Sequence, residues 1–590
     1  MKKLRFLSLT SALLITAGCF GGCGGFGFGS GNKTELKIGV FNGGLGYAWA
    51  DALAEKFEEK YADVSFEPGK TGVNVIIDPQ KDLFKPDSIR AAIQQNTSAN
   101  DIYYTCNNFH KEFANSGLFY NLNDVLNEKV YLDNGEMADM TYNTETKKYE
   151  LKEGAQAPTK SMLDKMGAQW KDAFYYDSNS GIEAGYYAIP YETSLEGFIY
   201  DHDLFEEQGW LDYDGIDGTP ATMDDFFDLL DRIVQANMIP YTYKNEDYWM
   251  GVGAAYLAQY EGPENAALNY TYRGKYTFRN LPQTTLDVFT DEFCSENAIT
   301  NNGDGTFTVN ITPSNAWLLA YQSGKDSYIK FMRAVIDPDY YDNNRYQVSY
   351  DYLMAQTTFV LSKLGKTGQK RIAMIQEGEW WENEARANFN QTGGYGQRDF
   401  RFMILPKIEG QIDESVQYIG GASIGTDLVV NAKSDKIELC KLWLHFSHSE
   451  SALEEFTLTN GAVRNSFNYD LSAEQLNQLT PFGRNVYEIK KGIGAYENVK
   501  TTYPAVYTDQ CSFYGNTSMG GYGTIIASTV MGAYGTWAAS GTYMSGWFAQ
   551  HAGVNGSEWV SAEAFIQGMH NYYDKNTWET AFAAWQINGA

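Results

Sequence analysis

Across its 590 residues the chain has no Cys-x-x-Cys pair, no His-Glu-x-x-His or similar metal spacing, no Gly-x-Ser-x-Gly elbow and no phosphate-cradling Gly-rich loop. A dithiol redox site, a catalytic metal, a serine-hydrolase nucleophile and nucleotide hydrolysis therefore have no motif to stand on, and no cofactor or metal is expected. Histidines number only six. The six cysteines, Cys19, Cys23, Cys106, Cys294, Cys440 and Cys511, are widely spaced and read as isolated, mostly buried thiols rather than a disulfide framework. Positive charge is also scarce: 45 Lys and Arg stand against 74 Asp and Glu, a net charge of −29. That excess repels phosphate backbones and anionic lipid surfaces, which argues against nucleic acid as a partner. No apolar run reaches the roughly twenty residues a membrane-crossing helix requires.

What is present begins at the N-terminus. Lys2, Lys3 and Arg5 precede a short apolar core, Phe6 to Ile15, and then Thr16-Ala17-Gly18-Cys19. This order reads as an export signal over residues 1–18. Ala-Gly-Cys resembles a bacterial lipobox, in which Cys19 would take a lipid. Thr16 departs from the Leu usual there, and Cys23 is a second possible acceptor. Plain secretion without an anchor is the alternative. Residues 19–32 are half Gly, a composition that buries no core and behaves as a flexible tether. Removing Lys2, Lys3 and Arg5 with the signal would take the net charge from −29 to −32.

With 43% hydrophobic residues the remainder can bury a sizeable core and at this length should divide into lobes. Tyr (43), Phe (33) and Trp (13) together make 15% of the chain. They serve either as amphipathic filler or as platforms for the apolar faces of sugar rings, and composition does not separate the two.

Along the chain, strand-like Leu36–Val40, Val73–Ile77 and Asp101–Thr105 alternate with helical Trp49–Tyr61, Ser88–Gln95 and a stretch ending at Gly117. Such alternation predicts βαβ units on a mostly parallel sheet, with ligand loops beyond the strand ends. The polar segment 128–180 reads as a surface insertion. Tyr187–Pro190, Gly197–Tyr200, Ile372–Ile375, Phe402–Leu405 and Leu428–Asn431 read as strands. Asp224–Ala236 is a periodic helix with Thr222 as N-cap. Ile437–Ser449 and Ala452–Thr459 are helices stopping at Asn460-Gly461. Gly520–Phe548 reads as packed helix and loop, and Ala562–Ala584 as a terminal helix. The acidic turn Asp212–Gly218 lacks the register of a calcium loop.

Several segments, taken in order, resemble one family. Asp101-Ile102-Tyr103-Tyr104 leads to Ala114-Asn115-Ser116-Gly117-Leu118. Ile189-Pro190-Tyr191-Glu192 leads to Phe198-Ile199-Tyr200-Asp201-His202-Asp203-Leu204-Phe205. Then come Pro220-Ala221-Thr222-Met223-Asp224-Asp225-Phe226, Ala373-Met374 with Gly378 and Trp380, Ile404-Leu405-Pro406, Gly420-Gly421-Ala422-Ser423, and Gly461 to Arg464. Together they are similar to the extracellular solute-binding proteins of ABC importers, in the sugar-binding branch that includes maltose-binding protein. Asp201-His202 replaces the usual Asn-Lys, and the resemblance is poor over 128–180 and 465–530.

The resemblance implies an α/β fold of two lobes, each a mostly parallel sheet flanked by helices, joined by a hinge. The first lobe would comprise 33–190 and a return segment 419–480, the second 191–418 and 481–590. It further implies a ligand between the lobes, no catalysis, ABC permease subunits as partners, and a monomer tethered to the membrane by its N-terminal lipid. The implied contacts are Asn42, Asn107 and Asn108 after first-lobe strands, Glu192 and Ser194 at the crossing, and Glu246, Tyr248 and Trp249 in the second lobe. Gly421 would line the return strand and Tyr514 would cap the cleft. One of Trp380 and Trp381 would stack on a sugar. An exported carbohydrate-active enzyme, or a surface sensor or adhesin on the same fold, are the alternatives.

Overall fold

A computed structural model describes residues 32–502, apart from 96–98, 107–109, 178–181, 193, 244–248, 336, 338, 343–349, 367–368 and 422–425, together with part of 562–583. The first sheet starts from Thr34–Phe41, whose Leu36, Ile38 and Val40 are fully buried. It pairs in parallel with Val73–Gln80 on one side and Ile102–Tyr104 on the other. Thr426–Val430 runs antiparallel beside Ile102–Tyr104, and Ile189–Glu192 closes the edge beyond it. Helix Ala48–Lys60 turns Trp49, Leu53 and Phe57 inward, a helical i, i+4, i+8 stripe. Trp49 meets Tyr104 edge-on at 5.0 Å and Phe57 meets Trp443 at 5.2 Å. Trp443 belongs to helix Ile437–Ser447, so late residues complete the lobe that early residues begin.

The second sheet orders Ile239–Thr242, Ile372–Gly378, Leu195–Asp201, Gln417–Gly421 and Val499–Thr502, with Phe400–Met403 also paired to Leu195–Asp201. Helix Met223–Gln235 packs Phe226, Leu229, Leu230 and Ile233 into this lobe. Its start is fixed by a capping box. The Asp225 N–H donates to Thr222 Oγ1 at 3.2 Å, and the Thr222 N–H donates to the Asp225 carboxylate at 3.0 Å. One face of Leu195–Asp201 (Phe198, Tyr200) enters a core confined to the second lobe. The other (Leu195, Ile199) enters a core continuous with the first.

Two corrections to the sequence reading emerge. Residues 419–421, expected in the return to the first lobe, end a second-sheet strand; the chain crosses between the sheets at 192–195 and again between 421 and 426. Segment 128–180 is not merely a surface insertion, since Val130, Tyr131, Met162 and Trp170 are core residues of the first lobe. Lys165 is buried there too, its ammonium donating to the carbonyls of Gly135 and His448. Tyr149 of the same segment reaches His445, a fully buried imidazole that burial holds down at about 4. Asp217 of the acidic turn is engaged by Arg401 and by the Tyr496 hydroxyl. Cys294 and Cys440 are buried free thiols and Cys106 is half-buried. Segment 520–548 lies outside the described residues. Of the terminal stretch, Trp578 is fully buried and donates its indole N–H to the Pro313 carbonyl at 2.7 Å. Among the described residues no helix is long and apolar enough to cross a membrane.

Candidate functional site between the lobes

The loop after the first strand reaches across to the second lobe. Gly44, at φ +56°, donates its N–H to Glu384 Oε1 at 3.0 Å. A side chain at Gly44 would meet Trp380, 3.5 Å from its Cβ. Asn42 is half-buried beside it. Its backbone N–H is bound to Gln80, and its amide makes no hydrogen bond among the described residues.

The adjacent tryptophans part company at the end of strand Ile372–Gly378. Trp380 is half-buried, with its ring against Gly378, where any Cβ would collide with three ring carbons. Trp381 opens helix Trp381–Glu384 and is fully buried. Phe400 lies edge-on to it at 5.0 Å, with Phe359, Phe389 and Phe482 within 5.8 Å. Trp381 is therefore core and is withdrawn from the ligand candidates. Adjacent residues point in different directions, and hydrophobic closure of this cluster decides which one turns inward.

Beneath Trp380 lies a buried acidic pair. The Gln356 side-chain amide donates to Glu377 Oε1 at 2.9 Å and to Glu384 Oε2 at 2.8 Å, and the Gly378 N–H donates to Glu377 Oε2 at 2.8 Å. Burial raises the Glu377 carboxyl well above its usual range, and the Glu384 charge adds to this against the hydrogen bond from Gln356. Burial likewise raises Glu384, opposed by Gln356 and the Gly44 N–H. Tyr352, partly exposed nearby, is raised by burial and then by the charges of Glu384, Asp351 and Glu377.

A second polar cluster holds the crossing. Leu195 and Glu379 exchange backbone and side-chain hydrogen bonds: the Leu195 N–H donates to Glu379 Oε2 at 2.6 Å, and the Glu379 N–H to the Leu195 carbonyl at 2.9 Å. Lys490 pairs with the same carboxylate at 2.8 Å, both side chains being fully buried, and also donates to the Val463 carbonyl at 3.1 Å. Arg464, fully buried, donates to the Tyr191 and Ser447 carbonyls. Ser194 is buried between these strands. Gly421 pairs with Leu195. The backbone of Gly251, in the first turn of helix Trp249–Glu261, fills the space a Cβ on Gly420 would need. The Gly251 N–H donates to Glu196 Oε2 at 3.1 Å, a carboxylate placed at the positive end of that helix.

The structure thus gathers Asn42, Ser194, Trp380 and Gly421 around the junction of the lobes. Glu192 pairs through its backbone with Thr426, and Trp249 starts its helix; their side chains are outside the description. Asn107, Asn108, Glu246, Tyr248 and Tyr514 lie outside the described residues. Gln356 and Glu384 were not singled out from the sequence. Glu384 carried a signal, standing one helical turn after Trp380; Gln356 carried none. A small apolar pocket of about 20 Å³, walled by Phe198, Phe226, Val252 and Phe331 in the second lobe, reaches Glu196 and Gly420 at the crossing.

Two α/β lobes with repeated chain crossings and a polar, aromatic junction define a two-lobed binding-protein architecture. The chain belongs to the bacterial extracellular solute-binding protein family, whose model matches residues 52–469. It is thus an extracellular solute-binding protein, of a family of binding proteins. Among solved structures it is similar to a chitin oligosaccharide binding protein, at 15% identity and a TM-score of 0.51, covering 93% of this chain and 99% of that one. It is also similar to a "probable secreted solute-binding lipoprotein" from Streptomyces coelicolor, at 11% identity and a TM-score of 0.50, covering 92% and 98%. No curated protein sequence matches the chain.

Proposed function

We propose that the chain captures a sugar or oligosaccharide between its lobes and delivers it to ABC permease subunits, as a monomer held at the outer face of the membrane by a lipid on Cys19. The observation that carries the sugar reading is Trp380, a partly exposed indole at the lobe junction beside hydrogen-bonding groups. An indole desolvates the apolar face of a sugar ring. Amides and carboxylates such as Asn42, Asn107, Asn108, Glu192 and Glu246 take its hydroxyls, with Ser194, Tyr248, Trp249, Gly421 and Tyr514 as further contacts. That one structural relative is named for a chitin oligosaccharide supports the same reading. Ligand that touches both lobes favours the closed form, and a permease that reads closure receives only loaded protein.

Calorimetry with a panel of oligosaccharides tests this reading. Trp380→Ala is expected to weaken binding by about 1–3 kcal/mol, roughly five- to a hundred-fold in Kd, while the protein stays folded. Unchanged affinity in a folded Trp380→Ala protein removes the stacking role. The anchor is tested separately: Cys19→Ser should move the protein from the membrane fraction to the medium, and retention of lipid labelling after that change would exclude Cys19 as the acceptor.

A further inference from the structure

The acidic pair under Trp380 has a property that a neutral polyol does not require. Glu377 is 2% exposed and Glu384 half-buried. Among the described residues no lysine, arginine or histidine pairs with either. Two other buried carboxylates carry cations, Glu379 with Lys490 and Asp201 with Arg371 and Arg398, whereas Glu261 and Glu382 are held by hydrogen bonds. A buried carboxylate without a cation is costly, and two sharing one amide cost more. The amide between them is itself incompletely used. Gln356 is fully buried, its amide N–H groups serve both carboxylates, and its Oε1 has no hydrogen-bond partner. The cluster therefore holds acceptors in excess and lacks positive charge. Two aromatic groups stand at the same place, Trp380 one helical turn before Glu384 and Tyr352 within the field of both carboxylates. The contact from Gly44 to Glu384 joins the two lobes here, so the pair lies at the junction rather than inside one lobe.

We propose that Glu377, Glu384 and Gln356 form a subsite for a protonated amine, so that the ligand is an amino sugar or an oligosaccharide carrying one. This deepens the sugar reading above and rests on it. The ammonium supplies the charge that the pair lacks, donates to Glu384 and to the free Gln356 carbonyl oxygen, and lies within reach of aromatic ring faces, which attract cations. The positive group enters from the ligand rather than from the protein, so an empty cleft holds an uncompensated acidic pair and a loaded one does not.

Matched pairs of sugars test the inference on the full-length chain: glucose with glucosamine, galactose with galactosamine, and short glucose oligomers with glucosamine oligomers of equal length and linkage. Binding is read by calorimetry and by the shift in Tm. In at least one pair the amine member should bind about tenfold tighter or more, a charge-assisted contact being about twice as strong as a neutral one. N-acetylation, which removes the charge, should abolish the preference. Glu384→Gln and Glu377→Gln, which keep the shape and remove the charge while turning one accepting oxygen into a donor, should each reduce it. If neutral members bind and amine members bind no better, the amine subsite is overturned and the sugar reading stands. A preference undiminished in Glu377→Gln/Glu384→Gln places the amine elsewhere and also overturns it. Binding of no member, amine or neutral, overturns both readings.

Discussion

Trp381→Ala is expected to lower the free energy of unfolding by about 3–5 kcal/mol, the range for removing a fully buried Trp. Its indole fills the space between Phe359, Phe389, Phe400 and Phe482. The first two rings come from segments flanking strand Ile372–Gly378, while Phe400 is in a strand and Phe482 in helix Pro481–Lys491. One cavity would thus loosen several elements at once. Denaturant unfolding without ligand measures the loss. Trp381→Phe should recover much of it, because a ring remains. A loss below about 1 kcal/mol in the alanine variant, less than a surface-to-core difference can explain, would show that the cluster is not packed as described. The contrast with Trp380→Ala, expected to spare stability and lose affinity, makes two neighbouring residues report on two different quantities.

Lys490→Met is the second large effect, again about 3–5 kcal/mol, since it leaves the Glu379 carboxylate buried without its cation. Glu379 is raised from its ordinary 4.5 by burial, with Lys490 acting most strongly against that rise; in the variant the rise is opposed only by backbone N–H groups such as that of Leu195. The sign of the pH dependence follows. A carboxyl whose folded pKa exceeds its unfolded one contributes stability at low pH, and that contribution is lost as pH rises through the folded pKa. The Lys490→Met defect should therefore be small near pH 4.5 and grow toward neutrality. Adding Glu379→Gln should recover most of it at pH 7, since the buried charge is then gone. A defect independent of pH, or a double variant no more stable than Lys490→Met alone, would show that the pair does not act through charge at this crossing.

Much of the fold was readable because periodicity and caps agree. Strands 34–41, 73–80 and 102–104 and helix 48–60 fall within a few residues of where alternation placed them. Thr222 caps its helix through the box that Asp225 completes, and Gly461 stops its helix in the left-handed region, at φ +76°. What resisted reading had no period. In 128–180 the buried Val130, Tyr131, Met162 and Trp170 are separated by charged residues, one of which, Lys165, is itself buried by donating to carbonyls. Helix Tyr352–Leu361 is apolar around most of its surface, so nothing in its sequence marks Gln356 as the residue that bridges two carboxylates. At the site, Trp380 was legible as one of a pair. Which of the pair turned outward was not, because that depends on rings contributed from residues 359, 389, 400 and 482.

The antiparallel strand Thr426–Val430 lies inside the first sheet, between Ile102–Tyr104 and Ile189–Glu192. A polypeptide emerging N-terminus first thus presents that sheet with a gap in its middle until residue 430 has appeared, and the helices that cover it, Ile437–Ser447 and Glu450–Asn460, come later still. Closure of so long a loop before its contacts form slows folding. The first lobe cannot finish as an early, independent unit during synthesis. It stays incomplete while most of the chain is made.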